Sequence, residues 1–114
     1  MFKRITFRHM DHSTVMEDYA NEQLAKVEEF LANEREPIYL DLMLEPSKTR
    51  EHNRVELRVK TPHYEKISDY EGPKFYEVLD RVIDTMYREL HEEKRRQIDK
   101  IKEEGRHDEL KKQR

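Results

Sequence analysis

The stretch from Gly72-Pro73-Lys74-Phe75 to about Lys102 limits most what this chain can fold into. Phe75, Leu79, Val82, Ile83, Met86, Tyr87 and Leu90 recur at spacings of three and four, which puts them on one face of a 3.6-residue helix. Pro73 stands where a first-turn proline is tolerated, because its missing N–H would have no partner anyway. On the opposite face Lys74, Arg81, Arg88, Arg95 and Lys102 follow one another at seven-residue steps. A seven-residue step drifts only about 20° around a helix, so these cations form one slowly turning stripe. One side of the helix needs a core and the other offers positive charge. Glu77 to Arg81, Asp84 to Arg88 and Glu92 to Arg96 are acid-to-base steps of four, which predict a solvated face partly neutralised within the helix.

A core for that helix is available on either side of it in sequence. Phe2 to Met10 alternates, with Ile5 and Phe7 on one face and Arg4, Thr6 and Arg8 on the other, and predicts a strand. Thr14 with Glu17 fits a capping box, opening a helix to about Ala32 whose buried face is Met16, Tyr19, Ala20, Leu24, Val27, Phe30 and Leu31. Asn33 closes it and Pro37 forbids continuation. Ile38 to Glu45 and Arg54 to Lys60 alternate cleanly as two half-buried strands, separated by a polar loop from Pro46 to Glu51. Tyr64 to Glu71 is a third strand with poor alternation, since Lys66 and Ser68 share a face with Tyr64 and Tyr70. The order is β-α-β-β-β-α. It predicts an α+β fold: a parallel first crossover, an antiparallel meander, and a four-stranded sheet with two helices packed on one face. The predicted domain is 1–102, and the polar stretch 103–114 has no apolar face and reads as a frayed tail.

Composition narrows the function more than it names one. With 114 residues the chain makes one domain large enough to bury a core. It has no cysteine, so no disulfide framework and no thiolate metal site, in keeping with a reducing cytosol. The N-terminus has no long apolar run, which predicts neither a signal peptide nor a membrane span. Net charge is −3, with 11 basic and 15 acidic residues in 1–71 against 12 and 11 in 72–114. The positive charge is therefore weighted towards the long helix.

Catalytic signatures fail one after another. With two glycines in all, phosphate-cradling loops are excluded, and there is no GxSxG. His91-Glu92 starts like a zinc-protease helix, but the position four after His91 is Arg95. His9, Asp11 and His12 lie at a strand-to-helix junction, where nothing fixes coordination. Asp80 and Asp84 stand one turn apart, and helix pairing accounts for them. No metal, cofactor, small-molecule substrate or enzymatic activity is expected.

Four stretches then converge on one family. Ile5-Thr6 with Asp11-His12-Ser13-Thr14, Leu24-Ala25-Lys26-Val27-Glu28-Glu29-Phe30, Glu71-Gly72-Pro73-Lys74-Phe75-Tyr76-Glu77-Val78-Leu79-Asp80 and Ile83-Asp84-Thr85-Met86-Tyr87-Arg88-Glu89-Leu90 occur in the family's order. The sequence resembles the ribosome hibernation-promoting factors, a family that includes the ribosome-associated inhibitor protein Y and is also called the sigma-factor modulation family. The likeness covers about residues 3–96. It implies a cytoplasmic stress or stationary-phase protein that binds ribosomal RNA of the small subunit and blocks the messenger and transfer RNA channel by occupancy. By position it implies RNA contacts from Lys26 on the first helix, Lys74, Arg81, Arg88, Lys94, Arg95 and Lys102 on the second, and Arg4 and Arg8 at the sheet. The departures from the family pattern are Thr85, Glu89, Glu92 and Glu93, which make this chain more acidic. The alternative reading is a regulatory module on the same fold that meets a protein partner instead of a ribosome.

Overall fold

Alternating and 3.6-period segments fold into β1 (Phe2–Phe7), α1 (Thr14–Leu31), β2 (Tyr39–Glu45), β3 (Asn53–Lys60), β4 (Glu65–Gly72) and α2 (Phe75–Lys112). The computed structural model describes residues 1–46 and 52–112, with side chains through residue 104. From Ser47 the loop expected over 46–51 lies outside the described residues, as do the last two residues of the expected tail.

The sheet order is β1-β2-β3-β4. β1 pairs parallel with β2, Ile5 against Leu42, and the other pairings are antiparallel, with Leu42 opposite Leu57 and Leu57 opposite Ser68. Period two then sends Leu40, Leu42, Leu44, Val55, Leu57 and Val59 to the same face, all buried. They join Ala20, Leu24, Val27 and Leu31 of α1 and Phe75, Val78, Leu79, Val82, Ile83, Met86 and Leu90 of α2 in one core, with Ile5 and Phe7 packed against it. Burying a Leu-sized side chain is worth about 1.5–3 kcal/mol, so this cluster supplies the fold's driving force.

β4 explains its own irregular sequence. Its helix-facing positions are polar because they bond to α2 rather than fill space. Ser68, 4% exposed, donates its hydroxyl to the Val82 carbonyl at 3.0 Å, and Lys66 reaches Glu93 at 3.2 Å. At the turn into α2 the Asn53 amide donates to the carbonyls of Gly72 and Pro73 at 3.2 and 3.1 Å. Gly72 is needed there for close approach: a Cβ would lie 3.0 Å from Cγ2 of Val78. The β3–β4 connection is tied by Thr61, whose hydroxyl accepts from the N–H groups of His63 and Tyr64, both at 3.2 Å.

The helix ends differ from the sequence reading. α1 is capped by Ser13, whose Oγ accepts from the Met16 N–H at 3.4 Å, and Thr14 is already helical. Glu17 turns back to the His12 ring instead of the cap N–H, so the capping box over Thr14 and Glu17 does not form. β1 stops at Phe7 rather than Met10, because His9 takes the left-handed conformation, φ 61°. α2 continues to Lys112, ten residues past the end expected near Lys102. Glu, Lys, Arg and Leu dominate that stretch and are strong helix formers, enough to carry the helix through the single Gly105. At 38 residues α2 is about 57 Å long, most of the molecule's 69 Å extent.

Candidate nucleic-acid interface

The candidate cations divide between two opposite layers. Arg4 and Arg8 stand with Asp41, Met43, Glu56 and Arg58 on the open face of the sheet. Lys26, Lys74, Arg81, Arg88, Lys94, Arg95 and Lys102 belong to the helix layer, where all but the half-buried Lys26 are exposed. No single surface therefore holds all nine.

The sheet face is largely self-neutralised. Arg4 pairs with Asp41 at 3.0 Å, Arg58 with Glu65 at 3.6 Å, and Arg54 with Asp69 and Glu71 at 3.6 and 3.7 Å. Arg8 makes no ion pair among the described residues. On this evenly mixed surface no extended positive field builds up.

The helix layer is arranged otherwise, and here the expected intrahelical pairing is corrected. Asp80 does not serve the stripe: it accepts the Tyr19 hydroxyl from α1 at 2.8 and 3.0 Å. Asp84 pairs with Lys26 of α1 rather than with Arg88. Glu77 pairs with Lys74 at 3.7 Å rather than with Arg81. Only Glu92 to Arg96, at 3.8 Å, forms as the sequence predicts. Glu93 joins Arg96 and Lys66, both at 3.2 Å, on the flank towards β4. At the α1–α2 seam Asp80 bonds the part-buried Tyr19, where a hydrogen bond gains more than an exposed i,i+4 pair worth a few tenths of a kcal/mol.

The consequence is a stripe with fewer counter-charges than its sequence suggests. Arg81 lies over the Tyr70 ring, 4.4 Å from the centroid, and donates to its hydroxyl at 3.3 Å. Arg88, Lys94, Arg95 and Lys102 make no ion pair among the described residues. Three such cations along the outer face of α2, with Lys94 on the flank towards α1, are suited to a polyanion, because no internal pair has to be broken first.

Aromatic rings interleave with these cations. His91 lies 4.5 Å from both Phe30 and Tyr87, ring centroid to centroid, and Phe30 stands edge-on to Tyr87 at 6.1 Å. Lys94 is 5.4 Å from the Phe30 ring and Lys26 is 5.5 Å from the Tyr87 ring. Phe30, His91 and Tyr70 are not among the RNA-contacting residues expected from the sequence. A signal for His91 exists, namely Arg88, Lys94 and Arg95 at its i−3, i+3 and i+4 positions. Nothing in the sequence brings Phe30 to it.

Two phenols are perturbed. Donation to the Asp80 carboxylate, with some desolvation, pushes Tyr19 up to about 12. Burial, with Glu34 and Glu93 nearby, does the same to Tyr64. Both stay protonated at neutral pH, as structural groups. Among the described residues no three His, Asp or Glu side chains gather to hold a metal ion, and no helix is long and apolar enough to cross a membrane.

Comparison with known proteins follows the same line. Residues 4–98 match the family described as Sigma 54 modulation protein / S30EA ribosomal protein. The fold is similar to the N-terminal domain of Protein Y from Thermus thermophilus, with a TM-score of 0.62 at 18% identity, covering 79% of this chain and 93% of that one. It is similar as well to a ribosomal subunit interface protein from Coxiella burnetii, with a TM-score of 0.63 at 16% identity, covering 82% and 98%. At these identities the structural likeness speaks for the fold. Among curated proteins no sequence matches.

Proposed function

This chain belongs to the Sigma 54 modulation protein / S30EA ribosomal protein family, and from that premise we propose that it is a cytoplasmic, ribosome-associated translation inhibitor. It binds the small subunit through ribosomal RNA and occupies the channel that messenger and transfer RNA need. Inhibition is by occupancy, with no bond made or broken. The helix layer, and α2 above all, faces the RNA.

The observation that carries this reading is the set of unpaired cations Arg88, Lys94, Arg95 and Lys102. Cations on the sheet face are mostly matched to carboxylates. On α2 three carboxylates, Asp80, Asp84 and Glu93, are instead engaged by α1 and β4. Lys26 and Lys74 add to the surface by exchanging an exposed carboxylate for a phosphate, which costs little because such pairs are worth about 0–1 kcal/mol. Arg81 stays on Tyr70 and borders the site.

The test is co-sedimentation of the purified chain with separated ribosomal subunits across a salt series. Binding to the small subunit that falls steeply as salt rises supports the reading, because each phosphate contact releases counterions. Salt-independent binding, or binding to neither subunit, rejects it. The module reading, in which a protein partner replaces the ribosome, would rest on the open sheet face, where Phe2, Tyr39 and Ile67 are 63%, 46% and 47% exposed.

A further inference from the structure

His91 occupies an unusual position for a surface histidine. The residue is exposed, yet its ring rests against two other rings, Phe30 from α1 and Tyr87 from its own helix, each 4.5 Å away between centroids. Around it on α2 stand Arg88 at i−3, Lys94 at i+3 and Arg95 at i+4, none with a carboxylate partner among the described residues. The nearest acid on its own face, Asp84, is engaged by Lys26 of α1. The cluster combines an exposed histidine, in contact with two aromatic rings, with free positive charge on its flanks.

We propose that His91, backed by Phe30 and Tyr87, is a stacking platform for one unstacked nucleobase of single-stranded RNA. The phosphates on either side of that base are held by Arg88, Lys94 and Arg95. Single-stranded RNA is recognised in this way: every base has a π-face, and aromatic or histidine rings receive it while basic side chains follow the backbone. Phe30 and Tyr87 hold the imidazole plane in place, so that stacking costs little further ordering. Lys94, now over Phe30, can move to a phosphate without breaking an ion pair. The proposal deepens the ribosomal reading and rests on it. It adds that α2 selects a loop or unpaired segment rather than a continuous RNA duplex.

The test uses the full chain and fluorescently labelled eight-nucleotide oligo(A) and oligo(U), a labelled RNA duplex, and adenosine monophosphate as the free-nucleotide control. Anisotropy titrations are run at several salt concentrations for the wild type, His91→Ala and His91→Phe. The expected result is that His91→Ala weakens oligonucleotide binding by about tenfold, in line with the usual value of one base–ring contact. Its salt slope stays unchanged, because no phosphate contact is lost. His91→Phe restores the affinity, and duplex binding is unaffected by either change. Unchanged affinity in His91→Ala, with salt-dependent binding retained, overturns the platform and leaves the ribosomal reading standing. A loss in His91→Phe equal to that in His91→Ala overturns stacking as the cause. Binding of adenosine monophosphate as tight as that of the oligonucleotide overturns RNA as the source of the base. If the wild type binds neither RNA nor the small subunit, both readings fall together.

Discussion

Replacing Arg88, Arg95 and Lys102 by glutamine together isolates the electrostatic part of the account. These three are exposed and make no ion pair among the described residues. Their removal orphans no acid and creates no new repulsion, as glutamate would beside Asp84 and Glu92. Arg81 is left in place because it is held by Tyr70, and its loss would disturb packing. Stability should change by no more than about 0.5 kcal/mol, since exposed positions without partners rarely move it further. Binding should change a great deal. Each phosphate contact contributes about 0.7 to the log–log salt slope for single-stranded RNA and about 0.9 for a duplex. Losing three makes the slope shallower by roughly 2–3. Over a fourfold rise in salt, about 0.6 logarithmic units, the wild type should lose roughly 20- to 40-fold more affinity than the variant does. Co-sedimentation with the small subunit, quantified at four or more salt concentrations, gives both slopes. A folded variant whose slope matches the wild type within about 0.5 would refute the reasoning, and the stripe would then be a solvated helix face.

Leu79 is wholly buried between α2 and the sheet, so Leu79→Ala should cost about 2–5 kcal/mol in urea unfolding followed by circular dichroism, and a loss under about 1 kcal/mol would place the helix elsewhere. In an alkaline absorbance titration Tyr19 and Tyr64 should ionise at about 12, and Tyr19→Phe should remove one of these late equivalents. The folded phenols hold their protons more tightly than the unfolded ones, whose ordinary value is 10. The stability they contribute is therefore complete below pH 10 and lost as pH rises towards 12; a flat melting temperature across that window would contradict the Tyr19–Asp80 bond. Treating the protein with a chelator, then removing the chelator, should leave both the unfolding curve and subunit binding unchanged, and a stoichiometric metal in the purified protein would overturn that.

The fold was legible because its apolar residues keep strict periods. Leu40, Leu42 and Leu44, then Val55, Leu57 and Val59, are buried as their alternation requires, and the buried faces of both helices follow from spacings of three and four. The periodicity misled at the end of β1, which stops at Phe7, and where burial is polar. β4 turns Lys66 and Ser68 inwards because α2 offers them a carboxylate and a carbonyl, and no single strand announces such partners. The capping error has a similar origin: Ser13 and Thr14 are both able caps, and backbone geometry chose the first. At the site the cations could be placed by number, but their partners could not. Tyr19 and Asp80 are 61 residues apart and Lys26 and Asp84 are 58 apart, so the seam that removes acids from the stripe exists only after folding. The aromatic cluster around His91 escaped the sequence for the same reason.

In the proposed complex the outer face of α2 meets ribosomal RNA in the channel of the small subunit. The absence of native cysteine makes a direct measurement simple, because one introduced thiol is unique. An iron chelate that generates hydroxyl radicals is attached at Glu92→Cys on the exposed face of α2, and separately at Thr6→Cys on the open sheet face; both positions are exposed. Each labelled chain is bound to small subunits, and the cut sites in the ribosomal RNA are mapped. Strong cleavage is expected from position 92 in the RNA that lines the messenger and transfer RNA channel, and weaker cleavage from position 6. Cleavage from position 6 alone, cuts outside the channel, or no cuts from either position would contradict that placement.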